Sequence, residues 1–451
     1  MNAPLQVFLK RKEEELAWKL DSLPEELKEW RERAREKNAL QKNHSQINHL
    51  ALQIEGLQAM IKADLGKAVA DGELWRLAES LEKKALIVHT LWDQFRSQLS
   101  LRLFSPFDAY LALADAYARE CYMPVYRQLR GIPADQLCPA PLITLDQEIS
   151  PWMKPETAAP EASGQGDGSL LTAQQIQDAL DRLPLTLLGL PWSYVTYLPH
   201  LALVAHEAGH AIERNAALTG ALDLAIDRMP LDDETRRPAW KAWRKEVFAD
   251  WYGCAMGGPA FLWSLVDHLA NDENKIAGQK RPQQNGSWTE YPTATVRVLL
   301  GCRALEFMEF AKEAKEIGEA WSQAYPQNQL HDYSQDLDSV VNAFGGVLDL
   351  RQKKYEGFRR PVMDQAVTIA NIYRLGGKLG KFEPKPARVY VAAARLIAQQ
   401  PPCNATVQAL WQKLHEHHLE SQPAKVAGGD PPDVNAPAQI EQLAATLFAR
   451  V

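Results

Sequence analysis

The alternation of apolar and polar positions is helical through most of the chain and strand-like in two places only. From residue 5 to about 100, segments such as "KRKEEELAWKL" and "EELKEWRERAREKNALQK" combine strong helix formers with mixed charge and predict long helices. Pro24 is expected to separate the first from the second. Residues 106–130 predict another helix. Strand character appears in "PLITLDQ" (141–147) and in "WSYVTYL" (192–198), which is rich in aromatic and β-branched residues; a helix near 172–183 falls between them. Pro199 suits the first turn of the helix that follows. From 235 to about 320 the pattern is helical apart from a turn at "GQKRPQQNG", residues 330–420 predict further helices, and "AQIEQLAATLFARV" closes the chain as a short amphipathic helix. The fold class expected is mainly α with a small β-sheet (α+β).

Proline, glycine and serine mark the divisions. "PETAAPEASGQGDGS" (155–169) is a flexible loop by composition and "SQPAKVAGGDPPDVNAP" (421–437) a linker. The expected organisation is a helical N-terminal region (1–130), a core (131–320), a helical C-terminal region (321–420), and a linker with its terminal helix (421–451).

Composition narrows the function classes. The 451 residues suffice for a sizeable core, and 46% hydrophobic with 24% charged residues is ordinary for a soluble globular protein. A net charge of -7 offers no global basic field for nucleic acid. Acidic and basic residues balance over residues 1–37, so the N-terminal helices read as a solvated hairpin, or as an arm that holds a partner or a second copy of the chain. The five cysteines form no Cys-x-x-Cys pair, which argues against a disulfide framework and a thiolate zinc site. No apolar leader opens the chain and no apolar run reaches bilayer-spanning length, so the expectation is a cytoplasmic protein without membrane contact.

The chemistry concentrates in "LVAHEAGHAIE" (203–213). On a helix each residue turns about 100°, so His206 and His210 lie about 40° apart and can reach one ion. A catalytic zinc needs one more protein ligand and a water, which Glu207, adjacent to His206, can reach as a base. Leu201, Val204, Ala208, Ala211 and Ile212 form the opposite, apolar side. Gly209 in mid-helix suggests that another backbone approaches closely. A second helix, "WKAWRKEVFADWYGCAMGG" (240–258), sets Trp240, Trp243, Val247, Trp251 and Cys254 on one stripe, with Glu246 and Asp250 at its edge. Two carboxylates beside tryptophans are costly unless something positive meets them. Glu246 is the expected third ligand, and Asp250 the acceptor that orients an imidazole, His206 first. The plainer alternative is that both form surface ion pairs with Arg244 or Arg297.

"HEAGH" followed 36 residues later by "EVFAD" resembles the gluzincin metallopeptidases, in the variant with Glu-x-x-Ala-Asp seen in the ImmA/IrrE-like and HtpX/CAAX-protease-like groups. The resemblance covers roughly residues 190–300. It implies a zincin-like core, Zn2+ on His206, His210 and Glu246, Glu207 as general base activating the zinc-bound water, and Asp250 supporting a histidine. Those groups often carry a later His-Pro…Arg segment. Here "YPTATVR" (291–297) has Tyr291 in the histidine's place, making Tyr291 and then Arg297 the candidate oxyanion donors, with Tyr252 also near in sequence. An edge strand beside the zinc helix would pair with the substrate, and residues 192–198 or "PLITL" could supply it. The function expected is a zinc metalloendopeptidase acting on a protein or peptide. The alternative is a catalytically silent zincin-fold regulatory protein working through its helical arms. "HEHH" (415–418) is expected on a surface helix without a carboxylate-supported cage.

Overall fold

The computed structural model describes residues 3–36, 38–104, 107–130, 139–147, 150–153, 185–278, 283–284, 287–288, 290–326, 331–348, 357–375, 385–399, 405–420 and 436–448. The 155–169 loop, the helix expected near 172–183 and nearly all of the 421–437 linker lie outside them, as do Cys138 and Cys403. The chain is mainly α with a small sheet.

Three long helices open it: α1 (Ala3–Arg33), α2 (His44–Ala70) and α3 (Leu74–Ser100). Pro24 lies inside α1 and does not divide it. A proline in a helix costs about 3 kcal/mol. Leu16, Leu20, Leu23 and Leu27 are all buried on one stripe, each contributing about 1.5–3 kcal/mol, and together they outweigh that cost. These helices share their own core, which the terminal helix α16 (Ala436–Leu447) completes by packing on α2 through Leu443 and Leu447.

The second and larger core begins with α4 (Phe107–Arg130). By core membership α4 therefore sides with the central region rather than with the N-terminal helices. Strand β1 (Leu142–Asp146) runs parallel to β3 (Leu187–Pro191), and β2 (Trp152–Met153) is antiparallel to β3, giving the order β1-β3-β2. Leu142, Ile143 and Leu145 are all buried, as a strand covered on both faces requires.

The second strand signal is displaced. Residues 192–196 form a 3₁₀ turn and the strand ends at Pro191. Tyr194 and Tyr197 turn their rings onto His200, and Thr196 Oγ1 bonds back to the Ser193 carbonyl, so local packing overrides β propensity.

A 3₁₀ turn at Leu198–Leu203, with Pro199 near its start, leads into α5 (Val204–Asn215). After α6 (Thr219–Asp227) comes α7 (Arg237–Leu269), bent at Gly258, whose φ of 58° favours glycine. Short α8 (Glu273–Gly278) and a minimal β4–β5 hairpin (Gln283–Gln284, Ser287–Trp288) precede α9 (Ala294–Phe307) and α10 (Ala311–Ala324). α11 (His331–Ser334), α12 (Leu337–Val347), α13 (Arg360–Arg374), α14 (Ala387–Ala398) and α15 (Ala405–Glu420) complete the second core. No helix among the described residues is long and apolar enough to cross a membrane.

Candidate metal centre

α5 and α7 pack against each other more closely than side chains would ordinarily allow. A Cβ on Gly209 would lie 3.0 Å from both Ala249 Cα and Tyr252 Cβ. The glycine expected to admit a second backbone does so, and α7 is the element admitted. The contact brings the Glu246–Asp250 turn of α7 beside the His206–His210 turn of α5.

Three ligand side chains converge there. His206 Nε2 and His210 Nε2 are 3.0 Å apart, His206 Nε2 is 3.4 Å from Glu246 Oε2, and His210 Nε2 is 3.5 Å from Glu246 Oε1. Nitrogen and oxygen ligands about 2.0–2.1 Å from a tetrahedral zinc lie about 3.3–3.4 Å from one another. The two imidazole nitrogens lie a little closer together than that, and each has one of the two Glu246 oxygens at about that spacing, so the three side chains can share one ion. Among the described residues, His206, His210 and Glu246 are the one histidine, cysteine and carboxylate group close enough to hold an ion.

The surroundings fix the ligands. Asp250, with no exposed surface, accepts from His206 Nδ1 at 2.9 Å, so that when the ring is neutral its lone pair is on Nε2, facing the cluster. Arg297 grips the same carboxylate through two bonds, Nε to Oδ2 at 2.6 Å and Nη2 to Oδ1 at 2.7 Å, and lies 3.6 Å from Glu246. Arg297 is thus committed to orienting Asp250, not free to meet an oxyanion. Arg244 turns elsewhere, to Glu213 and Asp223. Tyr252 donates to the Cys121 carbonyl of α4 at 2.5 Å, and Asn215, at the end of α5, donates to Tyr122 on the same helix. Tyr291 is 58% exposed and feels the Glu246 carboxylate, so it sits at the rim of the cluster.

Electrostatics favour a cation. Burial opposes charging of His206, but its bonds to Asp250 and Glu246 prevail and raise its pKa to about 10. Burial and the neighbouring His206 hold His210 down at about 3. Burial opposes ionisation of Glu246 and Asp250; His206 and Arg297 overcome it, and both carboxyls titrate below their usual range. Burial lifts Glu207 to about 7. With both imidazoles neutral, two carboxylates face one guanidinium, and one buried negative charge is left over.

One neighbour was not legible from the sequence. Tyr194 reaches the electrostatic vicinity of Glu207, with its hydroxyl buried and lacking a hydrogen-bond partner among the described residues. The signal lay inside the "WSYVTYL" segment, disguised by its strand-like composition. The strand edge is also clarified. The outer edge of β1 is already occupied: Gln98 bonds both the N–H and the carbonyl of Leu145, Asp115 accepts from the Ile143 N–H, and Arg102 donates to the Ile143 carbonyl. The opposite edge strand, β2, is the one that packs against α5.

Comparison of the chain with family models, curated proteins and solved structures finds no match.

Proposed function

We propose that the protein is a cytoplasmic zinc-dependent metallopeptidase, with His206, His210 and Glu246 as the metal's ligands and Glu207 as its general base. The observation that carries this reading is the convergence of His206 Nε2, His210 Nε2 and the two Glu246 carboxylate oxygens, 3.0, 3.4 and 3.5 Å apart, with the Asp250 bond to His206 behind it. When bound, zinc would supply Lewis acidity to polarise a scissile carbonyl and to acidify water. Glu207 would take the proton of the attacking water at its carboxylate and return it to the leaving amine. Its pKa of about 7 suits a group that must do both near neutral pH. Asp250, held by Arg297, would keep the His206 Nδ1 proton in place. Tyr291 at the rim is the remaining candidate donor to the oxyanion, and β2 the edge nearest the site for a peptide backbone.

Burial of the site favours a second reading. His206, Glu207, His210 and Glu246 are each 8% exposed or less, which suits a zinc-holding regulatory protein whose helical arms are the working surface. A Glu207→Gln variant separates the two. In a peptidase it keeps stoichiometric zinc and loses hydrolysis of an unfolded protein substrate by about 10²–10⁴-fold. Wild-type turnover in that variant would remove Glu207 from the reaction, and no turnover by the zinc-loaded wild type would favour the regulatory protein.

A further inference from the structure

The N-terminal helices carry a groove that is filled from the far end of the chain. α16 lies along α2 and belongs to the core of α1–α3, whereas the helix before it, α15, belongs to the larger core. The apolar positions of α16 fall at i, i+3, i+4 and i+7. Ile440 is half-buried and Leu443, Ala444 and Leu447 are buried, while Glu441, Gln442 and Ala445 between them are exposed. This is the pattern by which an amphipathic helix enters the groove of another unit. Gly56 of α2 makes the room. A Cβ there would lie 2.9 Å from Ile440 Cγ1 and 3.2 Å from Cγ2, with Cδ1 closer still. Isoleucine is stiff about χ1 in a helix, so Ile440 has little freedom to swing aside. Lys84 of α3 closes the far end, its Nζ 5.5 Å from the centre of the Phe448 ring.

α16 has 12 residues, a length at which an isolated helix is marginal in water. Its helicity therefore depends on being docked. Residues 421–435 tie it to α15. A tethered segment meets its own groove at an effective concentration of about a millimolar, so the chain's own helix prevails in dilute solution. A second copy carries the identical helix. Seated in the same groove it would remake the same contacts, and the two arrangements would differ only in the cost of association.

We propose that α1–α3 form a helix-binding module, with residues 436–448 as its resident, releasable occupant and the same helix of a second copy of the chain as its partner. Two full-length variants test this as a pair. Leu443→Asp with Leu447→Asp spoils the helix and leaves the groove vacant. Gly56→Leu blocks the groove and leaves the helix intact but undocked. Each alone should sediment as the wild type does. Mixed at about 100 μM of each, they should form a 1:1 complex, because the intact helix of one enters the vacant groove of the other. A fluorescein-labelled peptide of residues 433–451 should bind the double-aspartate chain about tenfold or more tightly than it binds the wild type, whose own helix competes. Adding Gly56→Leu to that chain should weaken the peptide by about tenfold or more. Equal peptide binding to wild type and double-aspartate chain, or binding undiminished by Gly56→Leu, would overturn the groove. Peptide binding with no complex in the mixture would overturn the second copy as partner. A double-aspartate chain that fails to fold would make residues 436–448 an integral part of the core and would overturn the proposal as well.

Discussion

Two histidine pairs in this protein are equally buried and oppositely equipped. His206 and His210 on α5 face Glu246 and Asp250, and the carboxylates draw His206 up to about 10. His415 and His418 on α15 sit among aromatic rings, Tyr110 against the first and Tyr390 against the second. Burial alone lowers His415 to about 4, and burial with Lys42 nearby lowers His418 to about 3. Removing an imidazole from water drives it neutral; a carboxylate partner is what makes the place attract positive charge. The surface helix expected for "HEHH" is corrected by the same observation, since His415 is 3% exposed and His418 1%. Its apolar neighbours come from α4 and α14, distant in sequence, so the burial could not be read locally.

The contrast can be broken most sharply at Glu246. A Glu246→Gln variant should lose stoichiometric zinc after dialysis, falling from about one ion per chain to near zero by elemental analysis. Retention of a full equivalent would mean that the two imidazoles suffice, and the lesson of the second pair would be lost. Asp250→Asn is a milder cut. Metal affinity, read by competition with a chromophoric chelator, should drop about 10–100-fold. An unchanged affinity would show that the bond to His206 Nδ1 is not orienting a ligand.

Protons sharpen the comparison further. His206 near 10 holds a proton at pH 8 that an incoming ion must displace, so about one proton should be released per zinc bound. Calorimetry in two buffers of different ionisation enthalpy measures it, and zero release at pH 8 would contradict the assigned state. The two pairs also move stability with opposite sign in the metal-free protein. A raised pKa makes His206 stabilising below about 6.5, and that contribution is lost as pH rises towards 10. Lowered values make His415 and His418 destabilising as pH falls from about 6.5 towards 4, because the unfolded chain binds protons that the folded chain refuses. The smallest expected effect is that of His415→Leu. Among the described residues both ring nitrogens of His415 lack a hydrogen-bond partner, so the change should leave zinc content untouched and leave stability unchanged or higher by about 1–3 kcal/mol. A large loss of stability would mean that this imidazole is satisfied in solution.

Legibility followed locality. The fold class, the β1 strand and the two helices that meet at the cluster were readable because each rests on a short-range pattern. So were Gly209, whose lack of a side chain signalled a close neighbour, and the edge position of Glu246 and Asp250 beside the tryptophan stripe. Pro24 misled because the leucines that carry α1 past it are satisfied by α2 and α3. Residues 192–198 misled because aromatic and β-branched residues suit a tight turn as well as a strand when another ring is there to meet them. Arg297 was singled out by the family's His-Pro…Arg segment and as a surface ion-pair partner, but its buried grip on Asp250 depends on α9 crossing α7, which no spacing along the chain reveals.

The seam at Gly209 has a consequence for how the protein would be loaded. Ala249 and Tyr252 rest directly against α5 at Gly209, so the spacing of the two helices is set by carbon packing rather than by the ligand side chains. On the proposed function, the cradle would then be built before its cargo arrives. Stripping and refilling it should leave the far-ultraviolet spectrum unaltered.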